Sequence, residues 1–323
     1  MKFSILLPGK RWKIHLLNLP FPIPPVGILS AYRRLFRIEH ALLLAVAVLL
    51  GELLASSAQP AQLSGLPVPL LPALPLLICS LAVPVFIEMG SFALNDYLDV
   101  KSDKENQRSD RPIASGEIPP RAALLAAAAC YILGIAAALP LPPAALYITL
   151  LFAILSIAYN FKLKELPLVG NLYIAASMAI PFLFGSLVVA PSILPQIWAI
   201  ALVAFIVGLG REIIKSAEDV EGDVKHRRAR TLPVVIGRKN SLMLAAILYA
   251  LAVPLSLSPF ALGLRANILS LGLVALTALS FAAMAAIAAR AGGGKGKAAL
   301  ISLRKTSLLS LAAGLAGYAA SLI

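Results

Sequence analysis

Long apolar runs separated by short polar segments dominate the chain. A membrane-spanning helix needs about 20 mostly apolar residues, because each residue advances it by only about 1.5 Å. Nine runs approach that length, and a proline inside three of them predicts kinks. The predicted spans cover residues 40–58, 68–94, 121–139, 144–160, 168–189, 195–215, 240–258, 266–289 and 303–322. This pattern predicts an all-α, polytopic membrane bundle.

Composition supports the same fold class. The 323 residues are 60% hydrophobic and 13% charged, whereas soluble domains are roughly 45–50% apolar and about 25% charged. The net charge of +13 would suit a nucleic-acid partner. In so apolar a chain it is better explained by loops that face anionic lipid and an anionic substrate, so no nucleic-acid partner is expected. Cys79 and Cys130 lie inside apolar runs and do not indicate a redox compartment.

The basic residues test the nine spans independently. If the N-terminus is cytoplasmic, 27 of the 28 Lys and Arg residues fall in cytoplasmic segments, and Arg265 is the exception. The positive-inside rule therefore predicts a multi-pass protein of the cell membrane with a cytoplasmic N-terminus. Residues 1–30 are expected to form a basic arm, partly disordered or lying on the membrane surface, because they lack the long apolar region of a signal peptide. Residues 31–323 are expected to form one membrane domain.

Two rows of carboxylates follow the second and sixth predicted spans. Asn95, Asp99 and Asp103 are four residues apart, so on a helix they share one face, and Asp219 and Asp223 repeat the spacing. Like charges at this spacing destabilise a helix, more so near an apolar core. A solvated, salt-bridged loop would explain one row. The matched pair favours a Mg²⁺ site, because Mg²⁺ prefers oxygen ligands and completes its shell with phosphate and water.

Four segments resemble the motifs of the UbiA superfamily of intramembrane prenyltransferases. They are LFRIEH (35–40), NDYLDVKSDKENQRSDRPIASGEI (95–118), YNFKLKE (159–165) and REIIKSAEDVEGDVKHRRARTLPVVIG (211–237). The last is most similar to the archaeal branch that makes digeranylgeranylglyceryl phosphate. The resemblance implies nine helices around a central cavity, with the carboxylate motifs at its cytoplasmic mouth. It also implies transfer of a polyprenyl group, here geranylgeranyl, from an allylic diphosphate to geranylgeranylglyceryl phosphate in ether-lipid synthesis.

That reaction suggests roles for the charged residues. The leaving diphosphate is highly anionic, so catalysis needs Mg²⁺ to neutralise it and basic side chains to hold its oxygens. The expected Mg²⁺ ligands are Asn95, Asp99, Asp103, Asp219 and Asp223. The expected diphosphate-binding residues are Lys101, Lys104, Arg111, Lys162 and Lys215. The expected catalytic residues are Arg37, Lys164 and Tyr159, and Tyr159 would orient the acceptor or stabilise positive charge.

Other interpretations remain open at this point. An aromatic acceptor of the 4-hydroxybenzoate type is the alternative within the superfamily, since the RIEH segment (37–40) resembles that branch somewhat. A cation-coupled transporter is a more distant alternative, because acids lie in and near the membrane bundle, although they cluster at one face. Glu52 and Glu88 lie within spans and are functional candidates by default, although hydrogen bonding inside the bundle explains Glu52 equally well.

Overall fold

The computed structural model describes residues 2–7, 10–15, 27–57, 74–218, 231–291 and 297–323. Within these ranges, nine helices are long and apolar enough to cross a membrane, which confirms the predicted number of spans. The spans are α2 (Ile38–Ser57), α3 (Leu74–Glu105), α4 (Pro120–Ala138), α5 (Pro143–Phe161), α6 (Val169–Val189), α7 (Pro195–Glu218), α9 (Arg238–Ala261), α10 (Ile268–Ala291) and α11 (Lys297–Ala320). The shorter elements are α1 (Gly27–Phe36), a 3-10 turn (Leu163–Glu165) and α8 (Leu232–Ile236).

The N-terminal arm contains a β-hairpin, which the sequence analysis did not predict. The expectation that the arm is partly disordered or lies on the membrane surface stays a prediction. The strands of the hairpin are β1 (Lys2–Leu7) and β2 (Lys10–His15), which pair antiparallel. The register sets Phe3 opposite Ile14 and Ile5 opposite Trp12, and a polar residue separates the two apolar residues in each strand, although Leu6 and Leu7 end the alternation in β1. That period-two alternation, interrupted by a Pro-Gly pair, is the signal of a hairpin. The membrane-spanning part of the chain is all-α.

The helix α3 carries the first carboxylate row. It continues without a break from the span to Glu105, with Pro84 in its interior. The predicted start at residue 68 lies outside the described residues. Because the helix is continuous, Asn95, Asp99 and Asp103 share one face, as their spacing predicts.

A close crossing of α2 and α6 holds the first half of the bundle together. A Cβ on Gly51 would lie 2.4 Å from the backbone oxygen of Phe182, and one on Gly185 would lie 2.1 Å from that of Val48. The two backbones can approach this closely only because both glycines lack a Cβ, as is common between membrane helices. The crossing fixes α2 and α6 as two walls of an internal cavity.

This cavity lies between α2, α3, α5 and α6. Most of its lining is apolar, and the apolar residues are Leu44, Val48, Val83, Pro84, Ile87, Ile148, Phe152, Ile180, Pro181 and Phe184. Its polar lining residues are Glu88, Thr149, Tyr173 and Ser177. The cavity is therefore suited to an apolar chain, with one carboxyl group in its wall.

Candidate active site

The end of the bundle that bears the α3 carboxylates gathers charged side chains from several elements and is called the mouth below. It comprises Arg37, Asn95, Asp96, Asp99, Asp103, Arg111, Asn160, Lys164, Arg211, Glu212 and Lys215. The end of α7 belongs to it, because Asn171 Nδ2 at the start of α6 donates to the Ser216 Oγ at 3.0 Å. The mouth thus contains residues from all four segments that carry the sequence resemblance, and those of the fourth segment come from its described residues 211–218.

Lys164 connects the Tyr/Lys segment to the first carboxylate row. Its Nζ donates to Asp99 Oδ1 at 2.7 Å, and the two side chains are only 13% and 15% exposed. The 3-10 turn that carries Lys164 packs on the start of α6, where a Cβ on Gly170 would lie 3.1 Å from the Lys164 Cα. Gly170 therefore allows the turn to approach α6 closely enough to direct the lysine toward α3.

A network of amides fixes the neighbouring Asn95. The Asn95 Nδ2 donates to Asn160 Oδ1 at 3.0 Å, and Asn160 Nδ2 donates to the Ser91 Oγ at 3.1 Å and the Ser156 backbone oxygen at 3.0 Å. Since the Asn95 amide nitrogen is used in this way, its oxygen is the atom left to accept a bond or bind a cation. This network anchors α5 to α3 directly beside Asp99.

Asp96 is the most buried charged residue of the mouth, and it holds two of the predicted functional arginines. Its side chain is 1% exposed, and its Oδ1 accepts from Arg37 Nη2 and Arg111 Nη1, each at 2.6 Å. These bonds tie the α1–α2 junction and the 106–119 loop to α3. Two guanidinium groups thus share one carboxylate oxygen, and Asp110 lies 3.9 Å from Arg111 Nε at the exposed edge of the cluster.

Arg37 adopts an unusual backbone conformation between α1 and α2. Its φ of 45° is in the left-handed region, which costs free energy for a residue with a Cβ. Its guanidinium carbon lies 4.3 Å from the centroid of the Phe92 ring, a cation–π contact. The ion pair with Asp96 and this contact offset the cost and direct the arginine into the mouth.

The end of α7 contributes a buried carboxylate to the mouth. Glu212 accepts from Arg211 Nη1 at 2.6 Å and from Lys215 Nζ at 3.3 Å, and its side chain is buried. Asp219 and Asp223, the predicted second carboxylate row, lie outside the described residues. The last described residue of α7, Glu218, pairs with Arg304 of α11 at 3.6 Å.

Three of the predicted diphosphate-binding lysines lie on the exposed surface around the mouth. Lys101 and Lys104 are exposed on α3, and Lys162 is 71% exposed and pairs with Glu165 at 3.1 Å. Their roles stay predictions. In the adjoining loop, Asp110 pairs with Arg108, whose hydrogen bonds lower the pKa of that carboxyl group.

Aromatic side chains lie between the mouth and the cavity. The Tyr159 ring stacks on that of Tyr173 with 4.7 Å between centroids, and Tyr173 in turn stacks on Phe152 at 6.3 Å. Sequence reasoning selected Tyr159 but missed Tyr173, because Tyr173 belongs to none of the quoted segments. It also left the role of Asp96 open, although Asp96 directly follows Asn95.

The donor set of the mouth fits Mg²⁺. Within the described residues, no three His, Cys, Asp or Glu side chains come close enough together to hold a metal ion. Asn95, Asp99 and Asp103 supply amide and carboxylate oxygens from one wall, which are the ligands of Mg²⁺ rather than of softer metals. The other predicted ligands, Asp219 and Asp223, stay predictions.

Comparison with known proteins identifies the family. The model of the UbiA prenyltransferase family matches residues 44–309. Digeranylgeranylglyceryl phosphate synthase of Archaeoglobus fulgidus is 34% identical over 291 residues, which cover 90% of this chain and 94% of that protein. The enzyme of the same name from Methanopyrus kandleri is 34% identical over 78% of this chain and 88% of its own.

Solved structures agree with the fold. One, described as concerning the biosynthesis of digeranylgeranylglyceryl phosphate synthase in membranes, has a TM-score of 0.73 and 26% identity, and covers 92% of this chain and 99% of its own. A UbiA homologue from Aeropyrum pernix has a TM-score of 0.70 at 22% identity, over 89% of this chain and 99% of its own. Because the family model spans most of the chain and a relative that is 34% identical is matched over nearly its whole length, the chain belongs to the UbiA prenyltransferase family.

Proposed function

We propose that this multi-pass membrane enzyme transfers a geranylgeranyl group from geranylgeranyl diphosphate to geranylgeranylglyceryl phosphate in archaeal ether-lipid synthesis. The observation that carries the proposal is a mouth that gathers basic side chains and carboxylates above an apolar cavity, which matches a Mg²⁺-bound allylic diphosphate with its charged head and apolar chain. The choice of acceptor is supported by relatives named digeranylgeranylglyceryl phosphate synthase that match nearly the whole chain.

The chain's own residues would hold the donor at both ends. The apolar walls of α2, α3, α5 and α6 accommodate the prenyl chain and exclude water from the allylic cation. At the mouth, Arg37 and Arg111 would hold oxygens of the diphosphate. Lys164 has three N–H donors and uses one on Asp99, so the others can reach phosphate oxygens.

Mg²⁺ would be held by Asn95, Asp99 and Asp103, together with Asp219 and Asp223. When bound, it neutralises charge on the departing diphosphate. A relative in structure, a UbiA homologue from Archaeoglobus fulgidus, was solved bound to GPP and Mg²⁺, with a TM-score of 0.61 at 20% identity over 90% of this chain and all of its own. At that identity the likeness concerns the fold, so the ligands named here rest on the donor set.

The mouth is proposed to face the cytoplasm, with the N-terminus on the same side. The support is the distribution of basic residues, of which 27 of 28 fall on one side of the nine spans. An aromatic acceptor of quinone synthesis remains the alternative substrate. Membership of a prenyltransferase family replaces the transporter interpretation.

The proposal is tested with purified protein, radiolabelled geranylgeranyl diphosphate and Mg²⁺. Geranylgeranylglyceryl phosphate and 4-hydroxybenzoate are offered in parallel, each with and without EDTA. We expect product with the glyceryl phosphate and its loss in EDTA. Product with the aromatic acid alone would assign the enzyme to quinone synthesis instead.

Replacing a proposed metal ligand tests the site itself. Asp99→Ala and Asp219→Ala should each lower transfer by at least about 100-fold, the scale of losing one electrostatic contact to developing charge. The matched control is Glu105→Ala, which removes an exposed carboxylate at the end of the same α3 helix. Unchanged melting in detergent would show that the bundle is intact. Full activity in either aspartate variant would refute the assigned site.

A further inference from the structure

Glu88 is the charged group in the cavity wall that none of the roles above uses. It lies on α3 two helical turns before Asn95, or about 10 Å along the axis, and its side chain lines the cavity. An ionisable group at this depth in a membrane bundle is costly and is commonly functional. Arg37 of the mouth lies over the ring of Phe92, which is one helical turn beyond Glu88 on the same face of α3.

Glu88 lies at the end of the cavity lining that is nearest the mouth. On three of the four walls, the lining residue nearest the mouth is Glu88 on α3, Phe152 on α5 and Tyr173 on α6, and on α2 it is the apolar Leu44. Tyr173 also stacks on Tyr159, which adjoins Asn160 of the mouth. These three residues therefore mark the boundary between the polar mouth and the apolar cavity.

A bound prenyl diphosphate has its reactive carbon at the same boundary. Its diphosphate belongs in the mouth and its chain in the cavity, so C1, which joins them, lies between the two. The aromatic faces of Phe152 and Tyr173 can stabilise positive charge there. The carboxylate of Glu88 lies on the third side, where an acceptor hydroxyl must approach C1.

We propose that Glu88 is the general base that takes the proton from the acceptor hydroxyl during transfer. This inference rests on the proposed function, because it requires an acceptor that attacks through oxygen. The C1–O bond to diphosphate breaks and its electron pair leaves with diphosphate. A lone pair of the hydroxyl oxygen forms the new C1–O ether bond, the O–H proton goes to the Glu88 carboxylate, and Glu88 releases it to water as products leave.

The test uses the full-length enzyme with Glu88→Gln, which keeps the shape of the side chain but cannot accept a proton. Prenyl transfer and diphosphate release are both measured with geranylgeranyl diphosphate and geranylgeranylglyceryl phosphate. We expect kcat for transfer to fall by on the order of 100-fold or more, the usual contribution of a general base. The KM values should change little, because Glu88 is proposed to act on the hydroxyl proton and not on binding.

Diphosphate release without ether formation is the more specific signature of a lost general base. In the wild type, one diphosphate is released for each ether bond formed. In Glu88→Gln, the allylic diphosphate still ionises, but ether formation is slow enough for water that enters from the polar mouth to reach C1, so diphosphate release should exceed transfer and geranylgeraniol should accumulate. Glu88→Asp, which restores a carboxylate, should recover part of the transfer.

The matched control is Glu52→Gln. Glu52 is a second buried carboxyl group within a span, but it does not line the cavity, so its replacement should leave transfer unchanged. Transfer in Glu88→Gln within about threefold of wild type would overturn the inference. So would a parallel loss of transfer and diphosphate release with a raised donor KM, since that indicates a role in binding. A wild-type enzyme that uses no glyceryl phosphate would instead refute the proposed function.

Discussion

Asp96 shows how one buried carboxylate can organise a cationic site. Arg37 and Arg111 come from segments 74 residues apart in the chain, yet both donate to the same oxygen of Asp96. Its other oxygen, Oδ2, is buried and has no hydrogen-bond partner among the described residues. Asp96 is therefore a positioning residue that holds two guanidinium groups together, beside the proposed Mg²⁺ ligands Asn95 and Asp99.

Replacing Asp96 should be costly. Asp96→Asn leaves two partly buried guanidinium groups without their counter-charge, which should destabilise the fold by about 3–5 kcal/mol. Chemical unfolding in detergent measures the loss of stability. Transfer activity should also fall, because Arg37 and Arg111 lose their common anchor. A variant as stable as the wild type would contradict this role for Asp96.

Asp110→Asn is the matched control, because it also removes an aspartate paired with an arginine. The Arg108–Asp110 pair is exposed, with side-chain exposures of 46% and 61%, so its loss should cost at most about 1 kcal/mol. The pKa of Asp110 is lowered by hydrogen bonds from Arg108. The contribution of this pair is therefore complete above the ordinary pKa of an aspartate, and it disappears as pH falls through the lowered value.

At the scale of elements, the α2–α6 crossing depends on two residues without side chains. Gly185→Ala would place a Cβ 2.1 Å from the Val48 backbone oxygen, which only a shift of a whole helix can relieve. We expect destabilisation of on the order of 3 kcal/mol, as for an overpacked core. Because α2 and α6 are cavity walls, the KM for the prenyl donor should rise as well.

Gly272→Ala is the control variant for Gly185→Ala. Gly272 lies within α10, and a Cβ there would meet nothing within 4 Å. The change should alter stability by less than about 1 kcal/mol, the ordinary difference between glycine and alanine in a helix. If the two variants melted alike in detergent, the close crossing would not be a determinant of stability.

The elements differ in how well local sequence determines them. The limits of α4, α5 and α6 agree with the predicted spans to within one residue at each end, because apolar length decides where a helix can cross a membrane. The β-hairpin escaped prediction, although its alternation is visible once the two strands are aligned. The alternating pattern is short and lies at one end of a very apolar chain, so the sequence analysis predicted only a basic arm there.

At the scale of the whole molecule, the orientation of the bundle is the property to test. Ser109 lies in the loop on the proposed cytoplasmic side, and Ala266 lies beside Arg265 on the other side. Both residues are exposed, and each is replaced by cysteine in a separate variant, Ser109→Cys or Ala266→Cys. A membrane-impermeant maleimide should label the first only in inverted vesicles and the second only in right-side-out vesicles. The native Cys79 and Cys130 lie within spans and should not react.

The opposite labelling pattern would place the mouth on the outer face. The distribution of basic residues would then have failed as a guide to orientation. Labelling of both positions from the same side would contradict the number of spans between them, since Ser109 follows the second span and Ala266 the seventh.

The sequence alone determined the number of spans, the helical phase of Asn95, Asp99 and Asp103, and the resemblance to a prenyltransferase family. These properties depend on local length and periodicity, which a membrane makes unusually restrictive. Only the tertiary structure decided that Arg37 and Arg111 share Asp96, that Lys164 reaches Asp99, and that Glu88 lies at the boundary of the cavity. Such contacts join residues far apart in the chain, so they depend on how the helices pack and not on the pattern within any one of them.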